Sequence, residues 1–357
     1  MLAGCAGARK LSGMISRFLF VLFCFGLPLC AAPDAAFDTA VAGAAGSTAV
    51  RATVILAGQN PDGSLGFRSV HYKDEGDAND FWPASTIKLY AAIAALEMVH
   101  AAGFGLDVTV TFERSTPQKD RWTTDCARTL QEMLSEVFLR SSNEDYTLLL
   151  RMTGIDRINT LLLTPERGFA QSALMRGYIT RRPYVYDLSE PQRITLRDGS
   201  GKTHTLEHQW SGRSYSQDRG ATVISETTGN CASTADLAGC LRRVMFHEAL
   251  PAAERFAITD GMAVFLRSGG DGFCGLETRG KDSAPFAWEK SGEIVYPQAR
   301  FFHKCGQISN YILELACLDD REQSGRAVIL AVSCNTDNEH LARGLSKAVL
   351  EWAKAQP

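Results

Sequence analysis

Ser85 and Lys88 stand three residues apart in Phe81-Trp-Pro-Ala-Ser-Thr-Ile-Lys-Leu-Tyr-Ala-Ala-Ile-Ala-Ala-Leu-Glu. Pro83 precedes a helix entry, and Ala-rich helical sequence follows it. Residues three apart share one helix face, so the Lys88 amine is expected within reach of the Ser85 hydroxyl. A serine hydroxyl attacks well at neutral pH only when a neighbour takes its proton. A lysine among apolar residues in a dry site has its pKa lowered enough to do so. The helix start adds free N–H groups and positive dipole where an oxyanion would form. The competing assignment is a solvated lysine on a core helix, with Ser85 as a mere cap. A chain this long holds about one S-x-x-K by chance.

Two further groups share this chemical character. Ser141-Ser142-Asn143 breaks a helical run. In an extended loop, residues two apart point the same way, so Ser141 and Asn143 would face one space. A hydroxyl there relays a proton, and an amide holds a substrate carbonyl. Asn143 ahead of Glu144-Asp145 is equally a good N-cap. His303-Lys304-Cys305-Gly306 lies in strand-like sequence. Alternation puts Lys304 and Gly306 on one side, with Cys305 and Gln307 on the other. A strand glycine admits another backbone or side chain at close range. Lys304 would supply positive charge to a carboxylate or steer a serine proton. It would otherwise be an ordinary edge-strand lysine that discourages aggregation.

The elements that must position these groups follow from periodicity. A short helix over 34–45 precedes strands at 50–58 and 66–73, joined by the turn residues Asn60-Pro-Asp-Gly-Ser. A small strand at 108–112 follows the Ser85 helix. Leu130, Met133, Leu134, Val137 and Phe138 keep helical spacing. That run breaks at Arg140 and resumes at Glu144. Helices are expected at 155–163, 171–178, 233–246, 254–266 and 337–354. A polar stretch, approximately 179–228, carries a hairpin at 193–206. Strands at 299–306, 310–317 and 326–334 form a terminal meander. The strands at both ends are expected to join in one antiparallel sheet, with a helical middle.

The N-terminus reads as a secretory signal. Arg9, Lys10 and Arg17 precede an apolar run from Phe18 to Leu29, and cleavage is placed after Ala32. A lipoprotein alternative uses Cys30, but the bulky Leu29 argues against it. Export to the periplasm or beyond is therefore expected, with no membrane contact after cleavage. Removing three basic residues takes the formal charge from −3 to −6, which is no nucleic-acid footprint. Seven cysteines remain: Cys126, Cys231, Cys240, Cys274, Cys305, Cys317 and Cys334. Some are expected to pair in an oxidising compartment. No metal-ligand spacing is visible, so no metal and no cofactor are expected. A mature chain of this size buries a full core, as a monomer, without staples.

In this order and context the three motifs resemble those of the active-site serine β-lactamases and penicillin-binding proteins, S-x-x-K, S-D-N and K-T-G, and are closest to the class A group. The resemblance spans most of residues 35–355. It implies an α/β (α+β) fold: an antiparallel sheet flanked by helices, an all-helical lobe, and an active site in the cleft between them. Residues 1–32 would be the signal and 33–357 the catalytic domain. The sheet lobe would take approximately 35–100 and 267–357, and the helical lobe approximately 101–266. The resemblance implies that Ser85 is acylated, Lys88 accepts its proton, and Ser141 relays that proton to the leaving nitrogen. It gives Asn143 the substrate's side-chain amide, and Lys304 the substrate carboxylate and Ser141. Cys305, Gly306 and Gln307 would line the substrate, with the Ser85 and Gln307 N–H groups as oxyanion hole. The substrate would be a β-lactam or a peptidoglycan-like peptide. Three departures stand out. Ser142 replaces an aspartate. Cys305 replaces a hydroxyl residue and is a weaker donor. No E-x-x-L-N pattern supplies a deacylating base; Glu166 arrives early, and Asp187 and Glu190 arrive late. The departures keep open a D,D-carboxypeptidase of cell-wall peptides, or a penicillin-binding or sensor module that does not hydrolyse.

Overall fold

The two strand-rich ends of the chain meet in one sheet. The computed structural model describes residues 34–73, 82–116, 121–219, 229–270, 272–277 and 287–356. The expected signal segment and its Cys30 lie outside the described residues, as does part of the polar stretch. Helix α1 (Ala35–Ala45) leads into the antiparallel strands β1 (Val50–Gln59) and β2 (Leu65–Tyr72). The terminal meander is β7 (Arg300–Ile308), β8 (Tyr311–Asp320) and β9 (Arg326–Asn335). β9 pairs with β1, so the order is β2-β1-β9-β8-β7, antiparallel throughout. β7 is an edge of this ladder, and its outer side is met by a bridge from Glu277 to Phe302.

Both faces of the sheet are covered, which is why β9 reads as an unbroken apolar run. One face carries Val54, Leu330 and Leu318 against Phe37 of α1 and Leu345 and Trp352 of the last helix, Glu339–Ala355. The other carries Ile55, Ile329 and Leu315 against the helix Lys88–Ala101, here α2. α2 is buried along nearly its whole length and has no solvated face. Helices α3 (Leu130–Leu139) and α4 (Asn143–Thr153) pack beside it. Thr129 closes α3 with a capping box to Glu132.

The middle of the chain is not purely helical. β3 (Thr109–Thr116), β4 (Arg121–Thr129), β5 (Gln192–Arg197) and β6 (Thr203–His208) form a second sheet, in the order β4-β3-β5-β6. The expected hairpin at 193–206 exists, but it is docked on β3 in register Thr109↔Arg197. No helix forms at 171–178. Side chains there replace the helical ladder: Asp236 accepts from Gln171 N–H, Asn159 from Leu174, and Asn230 from Met175 and Arg176. Ala173 bridges Cys231. α5 (Ile155–Arg157) runs into a wider turn at Ile158–Leu162. After α6 (Tyr215–Asp218), Ser233 caps α7 (Thr234–Met245). The helix expected from 254 begins only at Asp260, where Thr259 caps α8 (Asp260–Ser268). Besides β4 and α6, two more elements unmarked by sequence complete the set: α9 (Ala287–Val295) and the one-turn α10 (Arg321–Ser324), ahead of α11, the last helix. None of the seven cysteines among the described residues is paired; Cys317 and Cys334 face opposite core layers and act as small hydrophobes. Among the described residues no helix is long and apolar enough to cross a membrane.

Arg151 ties α4 to the second sheet. Its fully buried guanidinium donates to Asp125 (2.5 Å), to Gln192 Oε1 (2.5 Å) and to the Pro183 carbonyl (3.0 Å). Arg114 donates to the other Asp125 oxygen at 3.0 Å. Arg151→Ala should therefore lower unfolding stability by about 3 kcal/mol, the lower end for breaking a buried pair, because Arg114 still compensates Asp125. Denaturant unfolding checks this. A loss below about 1 kcal/mol would show that the second sheet is held by other contacts.

Candidate active site

Ser85 does not sit on the α-helix. It lies on a 3-10 turn, Ala84–Ile87, that feeds α2. Ala84, the residue before it, has φ +43°, a conformation that non-glycine residues rarely adopt. Three contacts hold that turn. The Tyr178 hydroxyl donates to the Ala84 carbonyl at 2.8 Å. Trp82, Ala84 and Leu313 form a small apolar cluster beneath it. On the remaining side β7 passes so close that a Cβ on Gly306 would lie 2.6 Å from Ser85 N and 2.9 Å from Ala84 Cβ. Glycine at 306 is thus a steric requirement, as strand position and residue type suggest.

Lys88 is the first residue of α2, fully buried, and its amine turns to the α3–α4 loop. Nζ donates to the Ser141 carbonyl at 2.5 Å and to Asn143 Oδ1 at 2.7 Å, and it lies 3.0 Å from Ser141 Oγ. No hydrogen bond joins Lys88 to Ser85 among the described residues. Ser141 has φ +52°, which turns both its carbonyl and its hydroxyl to the same amine. Lys304 reaches the same hydroxyl from β7, with Nζ 2.9 Å from Ser141 Oγ and 3.0 Å from the Cys305 carbonyl. One hydroxyl therefore bridges two buried lysines.

Two buried ammonium groups on one oxygen are electrostatically unfavourable, and one is expected to give up its proton. Burial first, and the charge of Lys304 second, lower Lys88 to about 6. Burial lowers Lys304 too, but Cys305 and Glu314 beside it oppose the shift. Lys88, at about 6, is then mostly the neutral amine at pH 7. A neutral Lys88 amine has two N–H groups and one lone pair, and all three find partners. Lys88 donates to the Ser141 carbonyl and to Asn143, Lys304 donates to Ser141 Oγ, and the Ser141 hydroxyl donates to the Lys88 lone pair. The rings of Tyr146 and Tyr178 lie 5.8 and 5.9 Å from Lys88 Nζ and close the pocket behind it.

The α4 N-cap is Ser142, not Asn143. Its Oγ accepts from Asp145 N–H at 3.1 Å and donates to Asp145 Oδ2 at 2.6 Å. That frees Asn143 to meet Lys88. Asn230 completes the floor and was not foreseen. Its amide reaches the hydroxyls of Tyr146 (3.2 Å) and Tyr178 (3.3 Å), while its oxygen accepts from Met175 N–H at 2.7 Å. Only the irregular backbone of 171–178 explains that need, and no motif marks it. The Cys305 side chain lies on the other face of β7 from Lys304, across from Glu314 on β8, and Gln307 is exposed. Two of the three carboxylates considered for water activation are engaged elsewhere. Arg182 holds Glu190 through both oxygens at 2.7 Å, and Asp187 accepts from Ser189. Glu166 adjoins Arg167, which pairs with Glu97 near the far end of α2.

Fold and pocket together define a serine β-lactamase-like hydrolase. A sequence profile described as "Beta-lactamase enzyme family" matches residues 74–353, and the chain belongs to that family. The fold is similar to that of a β-lactamase from Desulfarculus baarsii (TM-score 0.53, 17% identity, covering 90% of this chain and 98% of that one). It is also similar to a representative class A β-lactamase from Bacteroides cellulosilyticus (TM-score 0.53, 13% identity, covering 90% and 98%). No curated protein matches the chain in sequence.

Gly306→Ala should push β7 and the Ser85 turn apart and abolish covalent labelling, at a stability cost of about 1–3 kcal/mol. Intact-mass labelling at the wild-type rate would show that β7 need not approach Ser85 this closely. Acylation should rise with pH through about 6, as Lys88 loses its proton, and then level off. Lys304→Met removes a neighbouring positive charge, so this limb should move to higher pH. An unmoved limb in single-turnover profiles would show that another group sets it.

Proposed function

We propose that this chain is an exported serine hydrolase that forms an acyl-enzyme on Ser85 with a β-lactam or a related amide or ester. The observation that carries this is the single hydroxyl of Ser141 held between Lys88 and Lys304, 3.0 and 2.9 Å from their amines. In the reaction the Ser85 proton passes to Lys88 Nζ as Oγ attacks the carbonyl carbon. The Ser85 and Gln307 N–H groups receive the oxyanion. The proton then travels through Ser141 to the nitrogen as the C–N bond breaks. Lys304 keeps its charge, assists Ser141 and attracts the substrate carboxylate, while Asn143 meets the side-chain amide. Hydrolysis of the ester returns free Ser85. Cleavage near Ala32 and a monomeric mature form belong to the same proposal, and the N-terminal mass of the secreted product tests the first.

A second possibility, a D,D-carboxypeptidase or a penicillin-binding module, is favoured by one observation. Asp187 and Glu190 have other work and Glu166 is exposed on a separate turn, so no carboxylate of that set is held ready to activate water. Fluorescent penicillin should label the wild-type protein and fail to label Ser85→Ala. Label lost rapidly would mark a β-lactamase, and label retained would mark the second possibility. Label on Ser85→Ala would overturn the nucleophile assignment. Ser141→Ala should slow acylation by about 10²–10⁴. Combined with Lys304→Ala, the two losses should be less than additive, because the residues share one proton path. Independent, additive losses in stopped-flow acylation would contradict that path.

A further inference from the structure

The opposite face of β7 carries a second set of chemical groups. His303 and Cys305 alternate with Lys304, so they share the face that Lys304 avoids. Cys305 stands directly across from Glu314 on β8. One ring nitrogen of His303, the Cys305 sulfur and one Glu314 oxygen all lie within 4.8 Å of one another. We propose that these three side chains form a binding site for a late first-row divalent cation, zinc above all, with one coordination position left to water.

Geometry and polar accounting both point there. Zinc with ligand bonds of about 2.0–2.3 Å places tetrahedral ligand atoms about 3.3–3.8 Å apart, so rotamer shifts of about 1 Å close the set. Glu314 is fully buried, yet only one of its oxygens is used. Oε1 lies 3.2 Å from His303 Nδ1, and Oε2 has no hydrogen-bond partner. A buried carboxylate oxygen without a partner is costly and calls for an occupant. The Cys305 thiol makes no hydrogen bond among the described residues either. A single ion would satisfy both. Thiolate and imidazole favour zinc over magnesium or calcium, and three protein ligands leave a fourth position open. A dication on one thiolate and one carboxylate is neutral overall, which suits a buried place.

Binding displaces the Cys305 proton, and the Glu314 proton where that carboxyl is protonated, to solvent. Burial holds both pKa values up, Cys305 at about 12, so binding strengthens with rising pH. Sequence spacing gave no sign of the site, because its third ligand comes from the neighbouring strand.

The test uses the mature chain, stripped with a chelator and titrated with cobalt(II). One equivalent should produce a thiolate-to-cobalt charge-transfer band in the near ultraviolet, and zinc should erase it. Cys305→Ser should abolish the band. Glu314→Gln and His303→Asn should weaken binding by more than the roughly 10–100-fold typical of losing an outer-shell partner. Zinc should also raise the Tm of the wild type and not that of Cys305→Ser. If Glu314→Gln fails to fold, His303→Asn, less deeply buried, carries the same comparison. No band at stoichiometric cobalt would overturn the site, and so would a band that survives Cys305→Ser, which would assign the metal to another cysteine.

Discussion

The burial of two amines on one hydroxyl is the constraint that organises this molecule. Lys88 and Lys304 come from different elements, and among the described residues neither has a carboxylate within hydrogen-bond distance. Ordinary lysines in such a place would drive the elements apart or let water in. Here α2 and β7 are fixed by cores on either side, so burial and the second amine lower the Lys88 pKa to about 6 instead. Ser141 is then the group that can accept from one lysine and donate to the other. Its unusual φ is part of that arrangement, because only that turn offers both its oxygens to Lys88. The chemistry of the pocket thus follows from packing, and the sheet and helices act as the clamp.

The clamp works at short range. Gly306 lets β7 lie against the Ser85 turn, and the Tyr178 hydroxyl holds the Ala84 carbonyl from the other side. Tyr178 in turn depends on Asn230, which also pins Met175 and Arg176. A chain of polar contacts therefore runs from the irregular segment 171–178 to the residue before Ser85. Ordering that segment costs backbone entropy, and satisfied buried polar groups offset it.

The main sheet was legible because its strands are apolar runs bounded by turn residues, and β1 and β9 bury both faces. The three motifs were legible because their residue types are rare together. The break at Arg140 and the restart at Glu144 marked the loop between α3 and α4. The second sheet was not legible. β4 is Arg-Trp-Thr-Thr-Asp-Cys-Ala-Arg-Thr, partly exposed along its length, and lacks a clean alternation. The helix expected at 171–178 failed for a different reason. Its apolar residues are buried, but its N–H groups are taken by Asp236, Asn159 and Asn230, which come from distant points of the chain. Local pattern cannot report partners so remote. Contact between Lys88 and Ser85 was expected from helical spacing alone. The 3-10 turn at Ser85 and the pull of Ser141 and Asn143 redirect the amine.

Two carboxylates between the second motif and α7, Asp187 and Glu190, are drawn into the fold itself. Glu190 is neutralised by Arg182, whose guanidinium also lies near Asp125, so it serves the network that attaches the second sheet. Asp187 shapes its own turn through Ser189. The polar segment that follows β4 is thus built to dock a hairpin, and its acids are used as structural anchors. Activating water needs a carboxylate that is free, close to the ester and held against a positive partner. In this chain the same residues cannot meet that demand and also hold the hairpin. The proposed acyl transfer through Ser85 would make no such demand, because its proton path would run through Lys88, Ser141 and Lys304, which the main sheet and α2 position independently.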